Sequence, residues 1–190
     1  MFKRFLLASA LLFAPLHAHA QNAPASTFWT YHAAIPATTQ AATATDIFCI
    51  TGSATRTVAI KAMQISGTAT TATTTDLVIL KRSTANTGGT PVAATLVSVD
   101  SNDPASTVSV FAYSANPTTG TLVGNLHADK YTYTGNTGAP ANTIIPYIFG
   151  PDPVRKPIIL RGTAQSVCFN ANGITPAGAV FSADVIWVEY

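Results

Sequence analysis

Eleven short runs of β-forming residues follow one another along this chain, and they constrain its fold more than any other feature. Each run is rich in Val, Ile, Thr, Phe or Tyr, which favour a pleated, half-buried surface. Turn signals such as Asn86-Thr-Gly-Gly89 separate the runs, and none of them shows the 3.6-residue period of a helix. The pattern predicts an all-β fold with strands near 46–51, 56–66, 75–82, 94–99, 107–113, 120–126, 130–134, 143–149, 157–162, 165–170 and 179–190.

Short strands at this spacing are typical of an antiparallel β-sandwich of jelly-roll type, and we predict one such domain over 46–190. Residues 21–45 are rich in Ala, Thr and Pro, which predicts an extended N-terminal arm. Phe28, Trp29 and Tyr31 form an aromatic cluster in this arm. We therefore expect them to pack on the main body or to dock on a neighbouring subunit in an assembly.

Two details of side-chain alternation lead to sharper predictions. Near Ala62 the apolar positions of the second run change phase, which predicts a β-bulge there. In the last run, Trp187 and Glu189 share one face, and Ile186 and Val188 share the other. We expect the face of Ile186 and Val188 to be the core.

The first twenty residues have the three parts of a secretory signal peptide. Lys3 and Arg4 precede an apolar stretch over 5–16, and Ala18-His19-Ala20 fits the cleavage pattern. The apolar stretch is too short to span a bilayer comfortably, and no later segment is long and apolar enough to do so. We predict export to the periplasm or the extracellular space, with residues 1–20 removed and no transmembrane segment in the mature chain.

The chain carries little charge, which excludes several classes of function. Only 9% of its residues are charged, and its formal net charge is +2. Removing Lys3 and Arg4 from the ten basic residues leaves eight, which equals the eight acidic residues, so the mature chain is formally neutral. Since a nucleic-acid partner requires a basic patch, we expect none.

The two cysteines lie in separate apolar runs, Cys49 in 46–51 and Cys168 in 165–170. An exported chain meets an oxidising compartment, so an even count favours a disulfide across the core. Two separate buried thiols are the alternative. A zinc or redox site is not expected, because the sequence has no CxxC motif.

Catalytic motifs are absent from the sequence, and we predict no enzyme activity and no cofactor. The sequence has no GxSxG or HExxH motif and no phosphate-binding loop. His127 and Asp129 would share a strand face but lack a third partner, which indicates an exposed loop or strand end. Lys81 and Arg82 end another run, where we expect them to be solvated.

Two groups of side chains are candidate ligand sites. Asp100, Asn102 and Asp103 offer three oxygen-bearing side chains to a calcium ion, although a turn in which they bond their own backbone is the alternative. Tyr131 and Tyr133 share a strand face and could form a platform for stacking on a glycan. Core packing or cross-strand pairing of these tyrosines is the alternative.

Several stretches resemble a group of uncharacterised β-rich proteins of bacteriophage and environmental bacterial sequences. They are Ala44-Thr-Asp-Ile-Phe, Ile50-Thr-Gly-Ser-Ala-Thr-Arg-Thr-Val58, Leu80-Lys-Arg-Ser-Thr-Ala-Asn-Thr-Gly-Gly89, Asp100-Ser-Asn-Asp-Pro-Ala105, Tyr113-Ser-Ala-Asn-Pro117 and Ile159-Leu-Arg-Gly-Thr-Ala164. The resemblance implies a compact β domain on a particle surface or in an extracellular assembly, and it brings no established activity. A phage structural protein usually has no signal peptide, so a secreted bacterial version fits this sequence better than a virion protein.

These observations lead to three functional hypotheses. The first is a secreted, non-enzymatic structural or surface-interaction protein that assembles with its own copies, in a virion-like manner, or contacts a cell envelope or glycan. The second is a carbohydrate-binding module of an exported protein. A hydrolase with an unrecognised site is a third, weaker alternative.

Overall fold

The computed structural model describes residues 28–135, 144–150 and 156–190 of the chain. Every regular element within these residues is a β-strand, so the all-β prediction is confirmed. No helix in the described ranges is long and apolar enough to cross a membrane. The predicted signal peptide and residues 21–27 of the predicted arm lie outside the described residues.

Twelve strands follow one another along the described residues, and turns or loops separate them, as the turn signals predict. In chain order they are β1 (Trp29–Thr39), β2 (Asp46–Thr51), β3 (Val58–Ala69), β4 (Thr73–Arg82), β5 (Pro91–Ala93), β6 (Thr95–Ser98), β7 (Val110–Tyr113), β8 (Leu122–Gly135), β9 (Ile145–Ile148), β10 (Ile158–Leu160), β11 (Ser166–Asn170) and β12 (Val180–Glu189). Two predicted runs form the single strand β8, and β1 and β5 were not among the predicted strands.

All twelve strands belong to one sheet, which runs in the order β5-β7-β2-β11-β4-β8-β3-β12-β1-β6. Strands β9 and β10 both pair with β3 beside this path. The sheet is mixed and not purely antiparallel as predicted, because β3 and β8 run parallel where Thr68 and Ala69 meet Thr134 and Gly135. The jelly-roll arrangement stays a prediction. We call β6, β1, β12, β3, β9 and β10 layer A, and the remaining strands layer B. Strands β5 and β6 are the two terminal strands of this order, although only Ala94 separates them in the sequence.

The core lies between the two layers. Apolar side chains alternate along each strand, so that one face of each layer is buried against the other. The largest completely buried side chains come from both layers: Trp187, Tyr31, Phe181 and Ile60 from layer A, and Phe48, Phe169, Tyr131 and Ile50 from layer B. Burying one such side chain contributes about 1.5–3 kcal/mol.

The prediction for the core face of β12 is wrong. Trp187 and Glu189 are completely buried, whereas 37% of Ile186 and 45% of Tyr190 are exposed. The prediction failed because an ionised Glu is rarely buried without a partner, and the partners of Glu189 come from distant parts of the chain. The β-bulge predicted near Ala62 is present: Ile186 pairs with Ala62 and Trp187 with Ile60, which leaves an extra residue in β3.

Eleven residues of the predicted arm belong to the sheet. From Trp29 to Thr39 the chain forms β1, which pairs with β12 on one side and with β6 on the other. Tyr31, Ala33 and Ile35 point into the core in alternation. The small alanine side chains weaken this alternation in the sequence, and therefore the strand resembles a linker.

Cys49 and Cys168 form the predicted disulfide. They pair directly on the neighbouring strands β2 and β11, with their Cα atoms 4.1 Å apart. Instead of crossing the core, the disulfide links two strands of layer B. Both sulfurs lie in a second apolar cluster, separate from the main core, with Val78, Leu80 and Tyr113.

Candidate functional site

The aromatic residues of the predicted assembly arm have structural partners within the same chain. Tyr31 is buried, stacks on Trp187 at a ring-centre distance of 5.6 Å, and donates a hydrogen bond to the carbonyl oxygen of Pro104 at 2.6 Å. Trp29 is half-buried, with the Arg56 guanidinium 4.4 Å from its ring centre. Phe28 is exposed and packs edge-on against Tyr190. Tyr31 is therefore a core residue, and the docking role predicted for it is wrong.

The glycan platform predicted at Tyr131 and Tyr133 is also wrong, because both rings are buried. They contact each other edge to face at 4.7 Å beneath the sheet surface. Burial raises the pKa of Tyr133 to about 12, although a hydrogen bond to Gln40 acts in the opposite direction. The alternative interpretation of these tyrosines, core packing, is the correct one.

The loop with Asp100, Asn102 and Asp103 forms a turn stabilised by its own side chains. The Asn102 amide donates to the Asp100 carboxylate at 2.9 Å, and the Asp103 amide donates to the Asp100 carbonyl oxygen at 3.0 Å. The Ser98 hydroxyl also donates to this carbonyl oxygen. These contacts favour the structural alternative. Calcium binding at this loop stays a prediction.

A buried carboxylate that the sequence did not indicate lies at one end of layer A. Glu189 accepts hydrogen bonds from the Arg56 guanidinium at 3.0 Å, from the Thr107 hydroxyl at 2.8 Å and from the indole nitrogen of Trp187 at 3.1 Å. Ser106 adds a further hydroxyl donor. Burial alone would raise the pKa of Glu189, but these hydrogen bonds outweigh it and hold the pKa below its ordinary value.

A second buried carboxylate, Asp46, lies over the disulfide in layer B. Arg82 binds both carboxylate oxygens, at 2.6 and 2.8 Å, and Asn86 and Asn170 each donate at 2.7 Å. The expectation that Arg82 is solvated is therefore wrong, since only 5% of it is exposed.

Asp46, Cys49 and Cys168 are the only group of three metal-ligating side chains in close contact within the described residues. The disulfide occupies both sulfurs, and four donors already bind the carboxylate oxygens of Asp46. This group therefore offers no free ligands to a metal ion while the disulfide is intact.

His127 and Asp129 are exposed, as predicted, but they lie in the middle of the continuous strand β8 and not in a loop or at a strand end; their side chains are 3.8 Å apart. Both side chains are about half exposed, and the imidazole packs edge-on against Tyr147. Among the described residues, none completes this pair with a nucleophile in a cleft. The pair carries no acid–base chemistry that we can derive from its geometry.

A cavity of about 530 Å³ lies where the chain passes from β5 to β6. Its lining includes Pro91, Leu96, Val110 and Phe111, which make it largely apolar. Asn86 is one of its few polar residues, but its amide already donates to Asp46 and accepts a hydrogen bond from Gly120. Asn86 therefore has little capacity left to orient a ligand in this cavity, whose other polar side chains are Ser109 and Tyr113.

The outer face of layer A has a different character, because an apolar row crosses five strands in register. Val97 of β6 pairs with His32 of β1, His32 with Ile186 of β12, Ile186 with Ala62 of β3, and Ala62 with Ile148 of β9. Val97 is 55% exposed and Ile148 65%. Such a row spans about 20 Å at the usual strand spacing. We call these five residues the apolar row.

A polar groove of about 480 Å³ adjoins the apolar row on the same face. Pro36, Gln64, Ser66, Ser182 and Asp184 contribute to its lining. The Ser182 hydroxyl accepts a hydrogen bond from the Ala37 amide at 3.0 Å, at the irregularity in β1 between Ile35 and Thr38. The side chains of Gln64, Ser66 and Asp184 make no hydrogen bond to another described residue, and they are free to bind a partner.

Asp184 and His32 are the titratable residues of the apolar row and the groove. Burial raises the pKa of Asp184 above its ordinary value, while the nearby His32 acts in the opposite direction. The carboxylate is thus already partly desolvated in one copy of the chain. The outer face of layer A combines exposed apolar side chains with unused polar groups and little charge, which is the composition of a contact surface.

No family model, curated protein or solved structure matches the chain. In the sequence, only the alternation in β12 indicates which residues form the outer face of layer A. Assigning Trp187 to the core would have placed Asp184 and Ile186 together on the outside.

Proposed function

We propose that the protein is an exported, non-enzymatic structural protein that associates with further copies of itself through the outer face of layer A. The observation that carries this proposal is the in-register apolar row with its exposed Val97, Ile186 and Ile148. The solvent-facing side of a sheet usually carries polar residues. An exposed apolar row beside a groove is therefore a candidate contact surface.

Charge supports a second copy as the partner. The mature chain predicted from the sequence is formally neutral, so that two copies do not repel each other at long range. The face contains both an acidic residue, Asp184, and a residue that can become cationic, His32. A surface with both signs of charge can be complementary to itself.

The experiment measures self-association of residues 21–190 by sedimentation velocity over micromolar to millimolar concentrations. We expect the wild-type sedimentation coefficient to rise with concentration, and Val97→Asp to abolish this rise. Val123→Asp is the matched control, because Val123 is 62% exposed on β8, away from the face. A wild-type chain that stays monomeric, or equal effects of both substitutions, would reject the proposal.

Binding of a glycan is the second candidate function, and the polar groove favours it. The free amide of Gln64, the Ser66 hydroxyl and the Asp184 carboxylate could bond to sugar hydroxyls. Isothermal titration with soluble β-glucan, chitin oligosaccharides and peptidoglycan fragments tests this candidate. Heat of binding that is lost in Gln64→Ala would support it, whereas no heat with any of these probes would reject it.

A further inference from the structure

Four residues at the centre of the outer face of layer A form a compact quadrilateral. His32 pairs with Ile186, and Ala34 pairs with Asp184, on the neighbouring strands β1 and β12. His32 and Asp184 occupy one diagonal, and Ala34 and Ile186 occupy the other. Diagonal neighbours in a sheet lie about 7–8 Å apart. Within the described part of one copy, His32 and Asp184 do not form a direct ion pair.

A second copy that covers this face removes water from Asp184, which costs free energy. A carboxylate that loses its remaining water must gain an opposite charge or several hydrogen-bond donors. His32 is the one residue of the apolar row that can supply positive charge. An arrangement of the two copies that brings an imidazole to each Asp184 meets this requirement, and translation along the strands does not produce it for both copies.

We propose that two copies dock face to face about a two-fold axis, so that His32 of each copy meets Asp184 of the partner subunit. The proposal rests on the proposed function and specifies its geometry. A two-fold interface is reciprocal: if one residue contacts a second across it, the second contacts the first. An axis that lies between the sheets along the Ala34–Ile186 diagonal exchanges the ends of the other diagonal, His32 and Asp184.

The residues on the axis suit their positions. A residue on a two-fold axis meets its own counterpart, and Ala34 and Ile186 are uncharged residues for which this contact is favourable. Because the axis is oblique to the strands, the strands of the two copies cross steeply, as in the orthogonal class of sheet packing. The contact is closed, so it produces a dimer instead of a filament.

A charge exchange tests the reciprocal pairs directly. His32→Glu alone places acidic groups opposite each other, and Asp184→Lys alone places basic groups opposite each other. Each variant should weaken dimerisation by about tenfold or more. An equimolar mixture should dimerise again, because the new glutamate faces the new lysine while the remaining His32 faces the remaining Asp184. Fluorescent labels of two colours on the two variants measure the heterodimer by energy transfer.

The matched control uses the same residue types on β8, where His127 and Asp129 lie outside the face. His127→Glu, Asp129→Lys and their mixture should all dimerise like the wild type. If the wild type dimerises and the His32 and Asp184 variants do so equally well, the two-fold arrangement is rejected and the proposed function stands. If the wild type does not associate at all, the proposed function itself is rejected, and the two-fold arrangement is rejected with it.

Cross-linking of single cysteines provides a second measurement that does not depend on charge. Stacked sheets lie about 10 Å apart, which is too far for a direct disulfide but within reach of a short bis-maleimide. Ile186→Cys should cross-link to its own counterpart, whereas Thr68→Cys, on the same face but far from the axis, should not. Equal cross-linking at both positions would overturn the two-fold axis through Ile186.

Discussion

Arg56 and Glu189 form an ion pair at 3.0 Å that joins the segment before β3 to the end of β12. The Glu189 side chain is completely buried, whereas the Arg56 side chain remains 19% exposed and its guanidinium lies over the ring of Trp29. The pair thus connects three parts of layer A that are far apart in sequence. The one glutamate of the chain has a structural role, and the donors around it account for its burial.

Replacing this carboxylate with an amide should destabilise the protein. In Glu189→Gln the Arg56 charge loses its partner, and the new NH₂ group faces the donors of Ser106, Thr107 or Trp187. We expect a loss of about 2–4 kcal/mol in the free energy of unfolding. Urea unfolding measures it as a lower midpoint at an unchanged slope. Asp76→Asn, which alters a surface pair with Lys130, should leave the midpoint nearly unchanged.

The Glu189 carboxylate makes the free energy of unfolding depend on pH. The pKa of Glu189 is lowered in the folded protein, so the unfolded chain binds its proton more readily. Its contribution to stability is therefore complete above about pH 4.5 and is lost as the pH falls through the folded-state pKa. The stability difference between the wild type and Glu189→Gln should shrink across this acidic range. The prediction would be contradicted if the stability of the wild type and that of Glu189→Gln differed by the same amount at every pH from 7 down to the pH at which the protein unfolds.

Gly67 in β3 lies where a side chain does not fit. A Cβ atom there would lie 2.8 Å from the Val180 carbonyl oxygen and 3.0 Å from atoms of both Tyr131 and Tyr133. Gly67→Ala should therefore lower the free energy of unfolding by about 1–3 kcal/mol through overpacking. Gly124→Ala in β8 is the control, since a Cβ atom there meets nothing within 4 Å. Equal thermal midpoints for the two variants would refute this explanation.

Sequence reasoning predicted the parts of the fold that depend on local pattern. Strand β2 has the predicted bounds, the bulge near Ala62 follows from a change of phase, and the disulfide follows from an even number of cysteines in a chain predicted to be exported. The strand and the bulge need only the order of apolar residues and the turn signals between them, and the disulfide needs only the number of cysteines and the predicted signal peptide.

Other features depend on contacts between distant residues, and the sequence did not indicate them. Glu189 and Arg82 look like surface charges until Arg56 and Asp46, which pair with them, are brought beside them by the fold. Strand β1 lacks large apolar residues at regular intervals, because Ala33 packs in the core where Val or Ile is usual. The sequence also did not indicate the outer face of layer A, since the prediction exchanged the inner and outer sides of β12.

Two tyrosines that touch each other should respond in opposite ways to loss of their hydroxyl groups. Tyr133 donates to the side-chain oxygen of Gln40 in the interior, whereas the buried Tyr131 hydroxyl has no hydrogen-bond partner among the described residues. Tyr133→Phe leaves the Gln40 oxygen unsatisfied and should cost about 1–3 kcal/mol. Tyr131→Phe removes a buried polar group that gains nothing from folding, so stability should stay equal or rise.

Urea unfolding of the two variants and of the double variant measures both effects under the same conditions. The double variant tests whether the two hydroxyl groups act independently, because both substitutions preserve the edge-to-face contact of the rings at 4.7 Å. The two changes in free energy should then add, because the hydroxyl groups have no common partner. A large loss of stability in Tyr131→Phe would mean that its hydroxyl contributes to folding through a contact other than those described, and the prediction would be wrong.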